Sequence, residues 1–346
     1  MLHFDSDYME GAHPAIIERL AATNLEQTPG YGTDAHCERA RALVREACEC
    51  PEAEVFFLVG GTQANATVID ALLRPTQGVL SSAAGHIAVH EAGAIEATGH
   101  KVLCLPYADG KIAGDAVRDW CCGFFADETW DHMVAPGMVY ISHPTEYGTI
   151  YSKAELEDIA AACREWELPL FIDGARLGYG LAAPGADLTL PDIARLADVF
   201  YLGGTKVGAL FGEAVVFTRP ELARAFFTLT KQHGGLLAKG RLLGLQFETL
   251  LEAADGGEPL YFAGARHGVE MALRLKEGFA AHGYELAFDS PTNQQFVVLD
   301  AAARERLSAH ATFETWETYD DGSAVVRFVT SWATREEDVD ALIALL

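Results

Sequence analysis

One lysine of the chain has neighbours suited to covalent chemistry. Lys206 lies in the apolar, glycine-rich stretch 199–212, whereas most of the other six lysines have charged or polar neighbours. Burial lowers the pKa of an ammonium group, and the neutral amine is the nucleophile that forms an imine. Gly203, Gly204 and Gly208 remove side-chain bulk on both sides, which predicts room for a flat ring. A turn lysine that extends its charge into solvent is the alternative interpretation.

A carboxylate and an arginine follow another apolar segment. Asp173 ends the segment 168–173, and Arg176 comes three residues later. Parallel sheets bind ligands where their strands end, so Asp173 is placed to hold a protonated ring nitrogen. Arg176 would add a positive charge to the same pocket. Capping of the following turn is the simpler alternative for Asp173.

The stretch 55–65 indicates a strand, a glycine turn and the start of a helix. Free backbone N–H groups and the helix dipole favour a phosphate at such a helix start, with Gly61 and the Thr62 hydroxyl as its contacts. No Gly-Lys-Ser/Thr sequence follows, so this is not a P-loop. The looser Gly-Tyr-Gly patterns at 30–32 and 178–180 lack the strand or the acidic partner of a dinucleotide site.

Two histidines form a further candidate pair. His86 and His90 stand four residues apart, and an imidazole can stack on an aromatic cofactor or transfer a proton near neutral pH. Their spacing also suits a metal ion, but no third ligand pattern follows. The pair Cys48 and Cys50 has no matching second pair either, so no metal site is predicted.

The elements that must position these residues alternate along the chain. Two stretches, 64–73 and 153–166, have helical periodicity, and 153–166 places its apolar residues along one face. Alternation of strands and helices predicts a largely parallel sheet covered by helices. Six short apolar segments are predicted as its buried strands: 55–59, 101–105, 138–142, 168–173, 198–202 and 214–218.

The pattern changes after residue 236. The sequence predicts long helices over 236–254 and 261–282, then strands at 284–288, 295–299 and 324–329 and a last helical stretch over 334–346. The glycine pair at 256–257 predicts a boundary between a large domain of residues 1–255, which includes the N-terminal segment, and a small C-terminal domain of residues 256–346.

Composition excludes several classes of function. The 346 residues contain 25 Lys and Arg against 50 Asp and Glu, and a net charge of −25 without a basic run excludes a nucleic-acid partner. Seven cysteines, an odd number, indicate reduced thiols. Because the chain shows neither a signal-peptide pattern nor an apolar run of about 18 residues, we expect a cytoplasmic protein without membrane contact.

A phosphate cradle, a carboxylate for a ring nitrogen and a glycine-flanked lysine, in this order, form the set that binds pyridoxal phosphate. The chain resembles the low-specificity L-threonine aldolases of the β-eliminating lyase family, which are fold-type I pyridoxal-phosphate enzymes. The resemblance covers nearly the whole chain. It rests on six motifs, at 4–7, 61–65, 86–91, 173–176, 205–206 and 326–330.

This resemblance implies both a fold and an activity. The fold would be α/β, with a large domain built on a mostly parallel sheet and a small C-terminal α/β domain. The enzyme would be a carbon–carbon lyase that cleaves L-threonine, L-allo-threonine or related β-hydroxy-α-amino acids to glycine and an aldehyde. β-Elimination or aminotransfer on a different amino acid is the alternative activity. A pyridoxal-phosphate-binding protein without turnover, or a scaffold that has lost the cofactor, is the third possibility.

The resemblance also implies a role for each matching residue. Lys206 would form the Schiff base, Asp173 would hold the pyridinium nitrogen and His86 would stack on the ring. Gly61 and Thr62 would bind the phosphate. The substrate α-carboxylate would be bound by Ser6, Arg176 and Arg327, because guanidinium groups suit a planar anion.

Two positions and one loop depart from the family pattern. Glu146 stands where many members have a histidine that meets the substrate hydroxyl, so we expect it to act as the base; stabilising the turn at 147–148 is its alternative role. Ser331 replaces another common histidine. Lys239 and Arg241 lie in the loop whose arginine reaches a neighbouring subunit's phosphate in the family. A homodimer or homotetramer with shared active sites is therefore expected.

Overall fold

The computed structural model describes residues 1–253 and 256–346. The described residues form twelve strands, whose bounds are β1 (Leu2–His3), β2 (Glu54–Leu58), β3 (Gln77–Ser82), β4 (Lys101–Leu105), β5 (Ala135–Ser142), β6 (Leu170–Asp173), β7 (Val199–Gly203), β8 (Glu213–Phe217), β9 (Gln294–Leu299), β10 (Ala311–Thr312), β11 (Glu314–Thr318) and β12 (Ala324–Val329).

Fourteen α-helices lie in the same residues. They are α1 (Pro14–Ala22), α2 (Ala35–Ala47), α3 (Gly61–Leu72), α4 (His86–Val89), α5 (Ala94–Ala97), α6 (Gly114–Ala126), α7 (Lys153–Glu165), α8 (Leu177–Ala182), α9 (Leu190–Leu196), α10 (Phe226–Gln232), α11 (Arg241–Leu251), α12 (Leu260–Ala281), α13 (Ala301–Ser308) and α14 (Glu336–Ile343). In the part of the chain given above, none of them is long and apolar enough to cross a membrane.

A seven-stranded sheet forms the centre of the fold, in the order β2-β8-β7-β6-β5-β3-β4. Every neighbouring pair is parallel except the two pairs that β8 makes with β2 and β7. All six strands predicted here are present, with ends shifted by three residues at most. Hydrophobic clusters cover both faces of the sheet, as expected for a mostly parallel sheet between helix layers.

The sequence prediction missed β3. Its sequence Gln-Gly-Val-Leu-Ser-Ser contains four residues that are not apolar, so it lacks the apolar run of a buried strand. Five of its six residues are nevertheless buried, because β3 lies between β4 and β5 and bonds to both. Neighbouring strands therefore determined this element, and its own composition did not.

A second, three-stranded antiparallel sheet has the order β11-β12-β9 and packs on α12 and α14 around a third apolar cluster. Strand β1 pairs in parallel with β10, and Phe4 is fully buried in this cluster. Residues 2–4 therefore lie with residues of the predicted C-terminal domain. The division into 1–255 and 256–346 stays a prediction, and its boundary residue 255 lies outside the described residues.

Two element predictions near the C-terminal half are wrong in detail. The stretch 284–288 forms only an isolated bridge between Leu286 and Val297. The helix predicted from 236 begins at Arg241, because residues 234–240 form a loop against residues 30–32, where the Tyr31 amide donates to the Ala238 carbonyl at 3.1 Å. The predicted end of that helix, residue 254, lies outside the described residues.

Candidate active site

A cavity of about 300 Å³ opens where β2, β5, β6 and β7 end. The strands run in the same direction, so their carboxyl ends meet at one edge of the sheet. Of the predicted site residues, seven line this cavity: Gly61, Thr62, His86, Glu146, Asp173, Arg176 and Lys206. Residues that are 145 positions apart in the sequence are thereby brought into one site.

Asp173 is held by four donors. The Tyr140 hydroxyl and the Asn65 amide donate to Oδ2 at 2.6 and 2.9 Å, and the Tyr201 hydroxyl and the Ala175 backbone N–H donate to Oδ1 at 2.5 and 3.0 Å. The Asp173 side chain thus does more than cap the turn, which accounts for only one of these bonds. Tyr140 and Tyr201 were not predicted, because an aromatic residue in an apolar strand looks like any core residue.

The charge of Asp173 is stabilised despite burial. Burial raises the pKa of Asp173, but the charge of His86 and the hydroxyl groups of Tyr140 and Tyr201 outweigh it, so the pKa lies below its ordinary value. Asp173 is therefore a buried anion at neutral pH. Such an anion suits a positively charged partner in the cavity.

His86 is held by a second carboxylate that the sequence prediction missed. Its Nδ1 lies 2.8 Å from Glu91 Oε1, and Asn65 donates to the same oxygen at 2.7 Å and so links Glu91 to Asp173. Burial lowers the pKa of His86, but Glu91 and Asp173 outweigh it and raise the pKa above its ordinary value. Among the described residues, no three His, Cys, Asp or Glu side chains are grouped as metal ligands.

Lys206 lines the cavity and is a half-buried residue. Burial and the charge of Arg176 lower the pKa of Lys206, although the carboxylates of Asp7 and Asp173 oppose the change. The backbone carbonyl of Lys206 accepts from the Tyr179 hydroxyl at 2.6 Å, which restrains the loop. A lowered pKa increases the fraction of neutral amine available as a nucleophile.

The glycines beside Lys206 are required by the packing of the loop and not by a ring in the cavity. A Cβ on Gly203 would lie 2.3 Å from the Ala175 carbonyl oxygen, and one on Gly204 would lie 2.8 Å from the Phe247 ring. Gly208 has a φ of 102°, which side chains rarely adopt. These glycines permit close packing of the loop. They do not line the cavity, whereas Thr205 and Lys206 of the same loop do, so the predicted contact of a ring with these glycines has no support.

The start of α3 contributes backbone donors to the cavity. Gly60 is extended and caps the helix without a side-chain hydrogen bond, and Gly61 and Thr62 both line the cavity. A Cβ on Gly61 would lie 3.0 Å from the Tyr201 hydroxyl, so a larger residue would crowd that group. The first N–H groups of this twelve-residue helix are free for an anion.

Arg176 has a carboxylate partner within its own chain. Its Nε and Nη2 donate to Asp7 at 2.7 and 3.0 Å, and Asn293 donates to the same carboxylate at 2.9 Å. Asp7 is fully buried; burial raises its pKa, but the charges of Arg176 and Lys206 outweigh this and lower it. Ser6, one residue earlier, lines neither this cavity nor the adjoining one, whereas Tyr8 lines both.

An adjoining cavity of about 260 Å³ is lined by Arg327. His86, Glu146, Arg176 and Lys206 line this cavity as well as the first one. Arg327 pairs with Glu314 on the neighbouring strand β11 and donates to Gln294 at 2.9 Å. The structure thus places Arg176 and Arg327 on one continuous site. The sequence alone placed them 151 positions apart without a physical link.

Glu146 is buried and lines both cavities. Its Oε1 accepts from the His86 backbone N–H at 2.8 Å and from the Ser142 hydroxyl at 2.6 Å. In the described residues its side chain makes no hydrogen bond to the 147–148 turn, so the alternative role in that turn has no support. Burial raises the pKa of Glu146, and the Ser142 bond offsets only part of this effect.

Two candidates, Lys239 and Arg241, lie away from the cavities within one chain. His143, which is also outside both cavities, accepts from the Tyr151 N–H at 3.3 Å, and burial lowers its pKa to about 4. Lys239 is exposed, and Arg241 donates to the carbonyls of residues 23 and 24 at 2.8 and 3.4 Å. A role of Lys239 or Arg241 in a phosphate site therefore requires a second chain.

Comparison with known sequences identifies the family. The sequence profile described as beta-eliminating lyase matches residues 3–302. The chain belongs to the beta-eliminating lyase family. Its relatives in this family include the low specificity L-threonine aldolase of a Pseudomonas species, 33% identical over 99% of this chain and 96% of the relative, and that of Pseudomonas aeruginosa, 32% identical over 98% and 95%.

Solved structures agree with this family. Leishmania major threonine aldolase is 43% identical in sequence to this chain. Its structure superimposes with a TM-score of 0.95, and the match covers 100% of this chain and 98% of the aldolase chain. Aspartate aminotransferase of Thermus thermophilus, at 17% identity, superimposes with a TM-score of 0.70 over 100% of this chain and 90% of its own. The expected fold-type I α/β fold is confirmed.

Proposed function

We propose that this protein is a pyridoxal-phosphate-dependent lyase that cleaves L-threonine, L-allo-threonine or related β-hydroxy-α-amino acids to glycine and an aldehyde. The observation that carries the proposal is the cavity in which Lys206, the buried anion Asp173 and the free start of α3 meet. The full-length relatives named threonine aldolase favour carbon–carbon cleavage over β-elimination or aminotransfer. All seven cysteines are free thiols, which supports the cytoplasm as the location.

The residues of the cavity fit pyridoxal phosphate. Asp173 has a pKa below its ordinary value, so it can hold a protonated ring nitrogen. Gly61 and Thr62 offer backbone donors and a hydroxyl to a phosphate, and Lys206 offers its amine for covalent attachment. When bound, this cofactor supplies an electron sink for the bond that breaks at the substrate Cα.

The remaining groups of the chain would orient the substrate and move its proton. Arg176 and Arg327 would bind the α-carboxylate, which has to share these guanidinium groups with Asp7 and Glu314. Ser6 is retained in this set on the family resemblance alone, because it lies outside both cavities. Glu146 would take the proton of the β-hydroxyl group, and His86 would lie against the ring.

The activity test measures both products. Purified protein incubated with L-threonine or L-allo-threonine should release glycine and acetaldehyde in equal amounts, and added 2-keto acid should have no effect. Amino-group transfer to the keto acid, or ammonia release without glycine, would reject the proposal. A panel of β-hydroxy-α-amino acids with different side chains would then give the preferred aldehyde.

Glu146→Gln should slow cleavage by at least about tenfold, because a positioned base typically contributes about 10²–10⁴-fold. As the pH falls through the raised pKa of Glu146, the carboxylate is protonated and can no longer act as a base. Activity should therefore fall on the acid side of the pH–rate profile. The variant should therefore flatten the acid limb of the pH–rate profile while glycine still binds.

Glu155→Gln is the control for this experiment, since Glu155 pairs with Lys111 near the surface and should leave the rate unchanged. Cleavage by the Glu146 variant within twofold of the unsubstituted protein, with an unchanged acid limb, would remove Glu146 from the reaction. The proton would then pass to His86 or to water.

Assembly gives another prediction. Lys239 and Arg241 lie outside the two cavities described above, so we expect a homodimer or homotetramer in which these residues reach a neighbouring site, together with Tyr31, whose N–H donates to Ala238 of the same loop. Sedimentation at nanomolar concentration should show no active monomer. Arg241→Ala or Lys239→Ala should weaken cofactor binding, whereas Arg266→Ala, an exposed arginine on α12, should not. A fully active monomer would contradict shared sites.

A further inference from the structure

Glu213 is a buried carboxyl group that lines the cavity and takes no part in the proposed reaction. It is the first residue of β8 and pairs with Gly203 of β7 and Leu58 of β2, so it lies in the interior of the sheet. Only 3% of its surface is exposed, yet it lines the cavity together with Lys206 and Asp173. Acidic residues in such positions are rare unless they are paired or have a function.

The two oxygens of Glu213 have unequal surroundings. Oε1 accepts from the Thr205 hydroxyl at 2.9 Å, whereas Oε2 is buried without a hydrogen-bond partner. No Lys, Arg or His nitrogen of residues 1–253 or 256–346 lies within 4.0 Å of this carboxyl group. Asp173, in contrast, has four donors. A buried polar atom without a partner is costly, so Oε2 requires one when the cavity is filled.

The surroundings favour the neutral acid over the carboxylate. Burial raises the pKa of Glu213 to about 8, because the Thr205 bond and the charge of Lys206 offset only part of the effect and the charge of Asp173 adds to it. The other titratable groups of the cavity wall are Tyr8, His86, Glu91, Glu146, Arg176 and Tyr201. A protonated Glu213 has a donor to offer at Oε2 and presents no charge to a phosphate or another anion.

Glu213 also restrains the loop that carries Lys206. The Thr205 hydroxyl donates to Glu213 and accepts from the Gly212 N–H at 3.0 Å. The Gly204 N–H donates to the Gly212 carbonyl at 3.0 Å, which closes the loop at the same end. Thr205 is adjacent to Lys206, so Glu213 can influence the amine through its neighbour.

We propose that Glu213 is a positioning residue that remains protonated at neutral pH, holds the Lys206 loop through Thr205 and donates a hydrogen bond from Oε2 to an oxygen of the bound cofactor. The inference rests on the proposed function in one respect, the cofactor. It adds to that function a neutral donor, which neither the sequence motifs nor the ion pairs of the site indicate.

The experiment compares Glu213→Gln with Glu213→Ala. Glutamine keeps an acceptor for Thr205 and places an N–H donor where the protonated Oε2 would be, whereas alanine removes both. Apo protein is titrated with pyridoxal phosphate, and the visible band of the bound cofactor is then followed against pH. We expect Glu213→Gln to bind within threefold of the unsubstituted protein with an unchanged midpoint, and Glu213→Ala to bind at least about tenfold more weakly.

Two results would overturn the proposal. If Glu213 were ionised, Glu213→Gln would remove a negative charge beside the Lys206 nitrogen and lower the midpoint of the visible band by about one pH unit. If the Glu213→Gln and Glu213→Ala variants both bound the cofactor as tightly as the unsubstituted protein, Glu213 would donate no hydrogen bond to it. The glutamine variant decides the protonation state even if the alanine variant does not fold.

Thr205→Ser and Thr205→Val form the matched pair for the loop. Serine keeps the hydroxyl and should preserve the midpoint, whereas valine should shift it by changing the position of Lys206; equal midpoints would reject the positioning role. Glu277→Gln, an exposed change on α12, is the control. Failure of the proposed function is distinguishable, because the unsubstituted protein would then lack the visible band or aldehyde release.

Discussion

Replacement of Lys206 with alanine is expected to reduce cleavage of L-threonine by at least about 10⁴-fold, since the amine that attaches the cofactor covalently is lost. Lys206 lines a cavity in which burial and the charge of Arg176 lower its pKa, and the described residues place no other lysine there. Borohydride reduction of the unsubstituted protein followed by peptide mapping should find the pyridoxyl group on Lys206.

Lys276→Ala is the control for this experiment, because Lys276 pairs with Asp289 near the surface and should have no effect on the rate. The Lys206 variant should also lose the visible absorbance that borohydride removes in the unsubstituted protein. A pyridoxyl group mapped to another lysine, or an alanine variant with substantial activity, would reject the assignment of Lys206.

Asp173→Asn is expected to give the second largest loss, about 10²–10³-fold in kcat, the range found when one preorganised electrostatic group is removed. The change keeps the size of the side chain but removes the charge that would hold a protonated ring nitrogen. It also puts an NH2 group where one carboxylate oxygen stood, facing either Tyr140 and Asn65 or Tyr201 and the Ala175 N–H, so at least one of these bonds must break.

Asp173→Asn should have a second, spectroscopic effect. Because the charge of Asp173 contributes to the raised pKa of His86, the variant should lower that pKa, which an NMR titration of the imidazole can measure. Tyr140→Phe is the matched control, since it removes one donor but keeps the charge and should cost far less activity. A kcat of Asp173→Asn within threefold of the unsubstituted protein would contradict the role of this anion.

Local patterns in the sequence indicated most of the residues that form the site. Asp173 and Lys206 follow apolar runs that form β6 and β7, and Gly61 opens the helix after β2. Strand–helix alternation implies parallel strands, whose carboxyl ends share one edge of the sheet. For this reason the residues that end strands could be assigned to one site before any contact was known.

Family resemblance, rather than physical pattern, indicated Arg327 and Ser6. The structure brings Arg327 to the site through the second sheet, whereas Ser6 stays outside both cavities. Nothing in the local sequence around either residue predicts this difference, because it depends on how β12 and the N-terminal segment pack against the large sheet.

Only the tertiary structure decided the chemical state of the site. Asp7 reaches Arg176 across 169 positions, Asn65 joins Asp173 to Glu91, and Glu213 lies in the cavity with an unpaired oxygen. These hydrogen bonds, and the pKa values of the groups that make them, depend on burial and on distances between residues far apart in the chain. A sequence specifies which groups are available, and the charge and proton of each group are set by the neighbours that folding brings to it.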